Sequence, residues 1–411
     1  MRVSAVEQQV KEFESLVELL DELENRGIQG RQRKDIVFAY LGDRAKVKGR
    51  PIVASFELTP YCNFDCKMCY VHLEQTQLGN SQLLTVEQWK RIIDMSVDAG
   101  IMAADITGGE CLTYPGFKDV YMHLWAKGIQ PCVLTNGSLL SEDIVDFFVK
   151  HPPKMIQVSI YGSDEKAYKE VTRCNAYRTV MRGIQRLKQA RLHFKLVLTP
   201  SRYMQEDAEK LLEMVRNLGV EYGVGGISLP ARSETGRELA DFEIDATYFA
   251  KIQKNEIEYR KALMNSERRQ EQYPMKPAKR VQFQGAPCGA AHNNFHVNWK
   301  GEMCPCISFH EVTCSMLDKG FDHAWQEIQR QMTLYTEHAE CLACEYRDKC
   351  LSCPAEKCFG NPCGPLNTGV CQRMRAYAEA GLLGITRASE CILEGDESNE
   401  EGVHEAESLQ A

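Results

Sequence analysis

From residue 51 to about residue 225, six short runs rich in β-branched and aromatic residues alternate with stretches of helical period. The runs are "RPIVASFELT", "AADITGG", "QPCVLTN", "KMIQVSIYG", "HFKLVLTP" and "YGVGGISL"; segments such as "TVEQWKRIIDMSVDAG", "SEDIVDFFVKH" and "DAEKLLEMVRNLG" separate them. A helix between successive strands forces a right-handed crossover, so the strands run parallel in a sheet or an open barrel. Such architectures bind ligands at the C-terminal ends of their strands. Four loops then share one rim: a cysteine-rich stretch after the first strand, "TGGE" after the second, "LTNGS" after the third and "SIYGS" after the fourth.

The stretch after the first strand, "YCNFDCKMCY" at 61–70, holds Cys62, Cys66 and Cys69. A closed zinc site wants four ligands and a disulfide framework wants pairs, so three thiols are one short for either. Three thiolates on a tight loop can instead hold three irons of a [4Fe–4S] cube, leaving the fourth iron open to chelate a small molecule and pass it an electron. On spacing alone, zinc or no metal stands as the alternative.

The chain has 18 cysteines, three of them at 62–69 and eleven between 288 and 371. Its charged N-terminus has no apolar signal-peptide core, and no apolar run is long enough to span a bilayer, so the expected location is the cytoplasm. A reducing cytosol disfavours a disulfide framework, which makes metal ligation the default for clustered cysteines. The isolated Cys111, Cys132, Cys174 and Cys391 read as small core residues. Lys and Arg total 49 against 57 Asp and Glu, a formal charge of −8, and no basic segment interleaves with aromatics. Nucleic acid is therefore not an expected partner, nor is a membrane.

The expected organisation is an N-terminal helical segment over 1–50, a barrel over 51–245 and a helical connector over 246–284. A small cysteine-rich α+β domain follows over 285–375; it is too poor in apolar periodicity to fold without metal staples. Residues 376–411 read as a helix remnant and an acidic, disordered tail.

The spacing Cys62-x3-Cys66-x2-Cys69, followed by aromatic Tyr70 and placed after a first barrel strand, resembles the radical SAM superfamily. The resemblance implies a partial (β/α)6 TIM-type barrel whose open iron binds the amino and carboxylate groups of S-adenosylmethionine (SAM). The reduced cluster then cleaves SAM to methionine and a 5′-deoxyadenosyl radical. "TGGE" matches the GGE motif of that family, where Gly108 and Gly109 allow close backbone approach and Glu110 pairs with the SAM ammonium. Ser159 in "VSIYGS" matches the ribose-contacting segment, and Asn136 in "LTNGS" lies on the same rim; either also suits a turn. The glycines of "GVGGISLP" suit a place under the adenine or a turn equally well.

The C-terminal cysteines resemble the SPASM extension of radical SAM enzymes, which carries auxiliary [4Fe–4S] clusters. Ligands assigned by that resemblance are Cys341, Cys344, Cys350 and Cys371 for one cluster, and Cys288, Cys306 and Cys353 for the other. Cys304 substitutes for a missing fourth ligand, or that cluster has an open iron able to take a substrate thiolate. Cys314, Cys358 and Cys363 are spare, and the histidines of "HNNFH" read as structural. A zinc ribbon on Cys341, Cys344, Cys350 and Cys353 is the competing pattern.

The function this implies is a maturase that cleaves SAM and modifies a ribosomally made peptide by cross-linking, for example through a thioether. Its expected partners are the peptide or protein substrate, an electron donor such as flavodoxin or ferredoxin, and a separate leader-peptide recognition protein. One rival is an anaerobic sulfatase-type maturase forming formylglycine, for which Asp105 is the available base. A second rival is a non-enzymatic iron–sulfur or zinc scaffold that binds peptides. No catalytic acid or base is identified from the sequence.

Overall fold

The computed structural model describes residues 15–73, 82–225, 243–266, 288–350 and 352–383. The acidic tail, most of "GVGGISLP", the connector beyond residue 266 and the part of the expected helical segment before residue 15 lie outside these residues.

All six expected strands are present: β1 Val53–Glu57, β2 Ala103–Thr107, β3 Cys132–Thr135, β4 Met155–Ile160, β5 Phe194–Leu198 and β6 Glu221–Val224. Each pairs in parallel with its sequence neighbour, and helices cover the crossovers. The pleat sends alternate residues to opposite faces. Ala54 and Phe56 turn to the helix side, where Phe56 meets Trp89 edge-on at 6.1 Å. Ser55 and Glu57 turn to the concave side.

The sheet does not end at the barrel. β7 Asn294–Val297 pairs in parallel with β1, and β8 Glu302–Cys304 and β9 Cys314–Ser315 continue antiparallel, giving the order β6-β5-β4-β3-β2-β1-β7-β8-β9. The cysteine-rich part is thus built onto the same sheet. Its strand β7 sends His296 across to Ser55 and Glu57, at 3.2 and 3.4 Å, and all of His296 and Glu57 is buried to 1% exposure or less.

The N-terminal helical segment holds two helices among the described residues, α1 Leu16–Asn25 and α2 Gly30–Lys48. Ser15 and Glu18 form a capping box at the start of α1. Leu19, Leu23, Ile28, Ile36, Ala39 and Tyr40 give this hairpin its own small core. It is tied to the C-terminal part through Gly49, whose carbonyl accepts from Trp325 Nε1 and Gln329 Nε2.

The helices after the first strands are α3 Val86–Asp98, α4 Phe117–Ala126, α5 Glu142–Lys150, α6 Glu165–Thr172, α7 Tyr177–Gln189 and α8 Ala208–Leu218. α3 begins at a Thr85 and Gln88 capping box and buries Trp89, Ile92 and Ile93 against β1 and its neighbours. α9 Ala246–Ser266 packs by Glu256, which is fully buried between Arg216, Arg260 and the Tyr222 hydroxyl. No helix among the described residues is long and apolar enough to cross a membrane.

Trp89→Ala should cost about 3–5 kcal/mol, the usual loss for a large aromatic removed from a packed core. Val47→Ala, at a side chain 70% exposed, should change stability by under about 0.5 kcal/mol. Urea unfolding of the two variants measures the difference, and equal midpoints would contradict the assignment of the β1–α3 core.

Candidate functional site

The cysteine loop continues the β1–β2 pairing past the strand ends. Leu58 N donates to Thr107 O, Gly109 N to Thr59 O at 2.7 Å and Glu110 N to Tyr61 O at 2.9 Å. The two backbones are so close that a Cβ on Gly108 would lie 2.6 Å from Thr59 O, and one on Gly109 would lie 2.5 Å from Tyr61 O. The close approach that the sequence reserved for a ligand is thus made first by the cysteine loop itself.

Cys62, Cys66 and Cys69 follow directly. Backbone amides point at two of the sulfurs, Phe64 N at Cys62 Sγ and His72 N at Cys69 Sγ. Asn136 Nδ2 reaches both Cys62 Sγ at 3.6 Å and Asn63 Oδ1 at 2.9 Å, while its Oδ1 accepts from Ser138 N and Oγ. Asn136 therefore joins the loop after β3 to the cysteine loop. Lys67 N bonds to Val171 O and fixes the far side of the loop to α6. Burial, then the nearby Glu110, pushes the Cys62 thiol up to about 12. A metal that binds there must displace a proton.

Glu110 has no exposed surface. One oxygen accepts from Thr135 Oγ1 at 2.8 Å and Leu112 N at 3.1 Å, and the other from Asn136 N at 2.6 Å. Burial raises its pKa, and these donors oppose the rise. In this structure the carboxylate clamps the loops after β2 and β3 together. Ser159, near the end of β4, hydrogen-bonds the Tyr161 hydroxyl, whose pKa burial raises well above its usual range. Tyr70, next in sequence after Cys69, is half-buried. Asp105 faces Cys132 on the concave side, where burial raises its pKa and Lys154 and Lys195 oppose the rise.

Two contributors were not singled out from sequence. Asn63 lies inside the cysteine motif, where the eye reads only the sulfurs. Tyr161 stands two residues after Ser159, so strand alternation alone would have put it on the same face.

Further along, the C-terminal cysteines separate into two groups. Cys341, Cys344, Cys350 and Cys371 line one cavity of about 340 Å³. Cys306 is pushed up to about 12 by burial and then by its neighbours Cys288 and Cys353, and Cys288 is pushed up to about 11 with Cys353 again nearby. Cys353 therefore stands with Cys288 and Cys306, and Cys371 completes the other set. Four thiols around one cavity are a donor set that an iron–sulfur cube can use. Among the described residues no three His, Cys, Asp or Glu side chains converge on a point suited to one ion. Cys304 turns its Sγ toward Glu302 O at 3.8 Å, in its own strand. Cys314 lies in β9. Cys358 is buried and donates to Pro354 O at 3.1 Å, and Cys363 is exposed.

An open α/β sheet with a three-thiol loop at the C-terminal end of its first strand defines the class of protein. Residues 56–215 match the family model described as the Radical SAM superfamily. Residues 56–215 are thus a radical SAM domain, and the cofactors that go with it are SAM and the [4Fe–4S] cluster that binds it.

Among its relatives is the antilisterial bacteriocin subtilosin biosynthesis protein AlbA of Bacillus subtilis, 23% identical over 74% of this chain and 67% of AlbA. The AdoMet-dependent heme synthase of Methanosarcina barkeri is 24% identical over 74% of this chain and 91% of that protein. Of solved structures, Streptococcus suis SuiB bound to its precursor peptide SuiA shares the fold with a TM-score of 0.59 and 13% identity, over 87% of this chain and 89% of SuiB.

The donor sets fit these groups: three thiols on the barrel rim, and seven more in a group of four and a group of three. Gly109→Ala should force the cysteine loop off the β2 loop and lower iron by about one cube of four, with the auxiliary iron retained. Full iron with unchanged SAM cleavage would contradict the close approach. In the metal-free protein, alkylation of Cys62 should be slow at neutral pH and rise about tenfold per pH unit, because only the thiolate reacts. Peptide mass spectrometry follows this, and a plateau near pH 9 would contradict the burial of that thiol.

Proposed function

We propose that the protein is a peptide maturase that uses a SAM-derived radical to cross-link a ribosomally made peptide, for example through a thioether. The observation that carries this reading is the separation of the C-terminal cysteines into a four-thiol cavity and a three-thiol group. Joining a C–H carbon to an S–H sulfur removes two hydrogens. The deoxyadenosyl radical removes one as an atom, and the other leaves as a proton and an electron. When bound, the auxiliary clusters supply an acceptor for that electron. The similarity to AlbA, a protein of bacteriocin biosynthesis, supports a peptide substrate, as does the fold shared with SuiB, solved with a precursor peptide.

The chain's own residues serve placement. Gly108 and Gly109 admit the cysteine loop, Glu110 and Asn136 lock the rim, and Ser159 offers a hydroxyl to the SAM ribose. In this reading Tyr70 flanks the cluster, Cys304 stays with its strand, and the three-thiol site keeps an iron free. The electron for SAM cleavage comes from a flavodoxin or ferredoxin in the cytoplasm, and a separate protein presents the leader peptide.

Anaerobic incubation with SAM, a reductant and short cysteine-containing candidate peptides tests this. The expected products are 5′-deoxyadenosine and a peptide lighter by two hydrogens with a new carbon–sulfur bond. Cys341→Ala should still yield deoxyadenosine but no cross-linked peptide. A formylglycine product overturns the cross-linking reading, and modified peptide at the wild-type ratio in the variant removes the auxiliary site from the chemistry.

A further inference from the structure

The wall of the four-cysteine cavity contains a lysine that the chemistry above does not use. Lys357 ends the one-turn helix Pro354–Lys357, which begins directly after Cys353 of the three-thiol group. The helix therefore runs from one thiol group to the other. Lys357 lines the four-cysteine cavity and is only 5% exposed. Two contacts fix this arrangement: Lys357 O accepts from Asn367 N at 2.8 Å, and the adjacent Glu356 is engaged by Arg373 at 2.9 Å.

Other charges line the same cavity, and they do not cancel Lys357. Glu337 is paired with Arg347 at 2.9 Å, Glu340 and Glu345 are exposed to screening water, and Arg375 adds a second cation. A charge in a buried position acts through a low dielectric and is screened far less than exposed carboxylates. The ammonium also opposes the rise that burial imposes on the Cys341 and Cys371 thiols. At the three-thiol group the cation acting on Cys288 is Lys46 of α2, which is half-buried.

We propose that Lys357 is a positioning residue that raises the reduction potential of the four-cysteine site, making that site the resting place of the electron in preference to the three-thiol site. The inference rests on the reading that the four cysteines hold an auxiliary cluster. Uptake is of one electron, with no bond made or broken and no proton required. In turnover its source is the carbon-centred substrate radical as it closes to product, and in the test it is a chemical reductant. The added negative charge sits against the ammonium, which is how cluster charge and surroundings set such potentials.

The test is a redox titration of the full-length, anaerobically reconstituted protein followed by electron paramagnetic resonance. Lys357→Met should lower the reduced-to-oxidised ratio of one auxiliary signal at least tenfold at fixed potential, about 59 mV for one electron. Lys357→Arg should stay near wild type, and the SAM-site signal should not move. An unchanged auxiliary potential in Lys357→Met with full iron overturns the proposal. If Lys357→Met and Lys357→Gln both lose one cluster while Lys357→Arg keeps it, the lysine is needed to hold the site rather than to tune it, which also overturns the proposal. Wild-type protein without any auxiliary signal would instead remove the reading of the four cysteines on which it rests.

Discussion

Everything at the rim depends on three backbone hydrogen bonds that extend the β1–β2 pairing beyond its strands, from Leu58, Gly109 and Glu110 to Thr107, Thr59 and Tyr61. They hold the cysteine loop on the loop after β2 at a separation that no side chain at 108 or 109 could tolerate. The cysteines are therefore placed by main chain, which has few ways to move, and not by their own packing. Glu110 and Asn136 then connect that pair of loops to the loop after β3, so three strand ends present a single preorganised surface.

The cost of this arrangement is carried by the sulfurs. Burial disfavours the thiolate at Cys62, Cys288 and Cys306 alike, so each of these sites is protonated in the absence of metal and becomes anionic only when a cation takes the proton's place. The apolar core is less dependent on metal than the sequence suggests, because Phe56, Trp89, Ile92 and Ile106 of the barrel form one continuous core with Phe295, Met303, Phe309 and Ile328 of the cysteine-rich part.

Much of this was legible in the sequence because it is local. Strand period, the three-cysteine spacing and the glycine pair each occupy a few consecutive residues, and the structure has all six strands where the alternation placed them. The rest depends on contacts across long stretches of chain. Pairing of β7 with β1 brings His296 to Glu57, and neither residue's surroundings announce the other. The break between α1 and α2 was not readable, because Ile36, Ala39 and Tyr40 are scattered among Arg, Lys and Asp and leave little apolar period to follow. The direction of the Glu110 side chain was not readable either. Its sequence position fits a ligand contact, and the structure adds donors from Thr135, Asn136 and Leu112 that hold its oxygens.

The central claim is that this chain builds three separate thiolate sites, of which the rim site and the Cys288 group supply three sulfurs each. Mössbauer spectroscopy with iron and sulfide analysis of anaerobically reconstituted protein tests it most directly. The account predicts about eight to twelve irons per chain in [4Fe–4S] form, with one cube lost when Cys62, Cys66 and Cys69 are replaced by Ala and the remainder kept. Zinc in place of iron, or loss of all iron together in that variant, would contradict it.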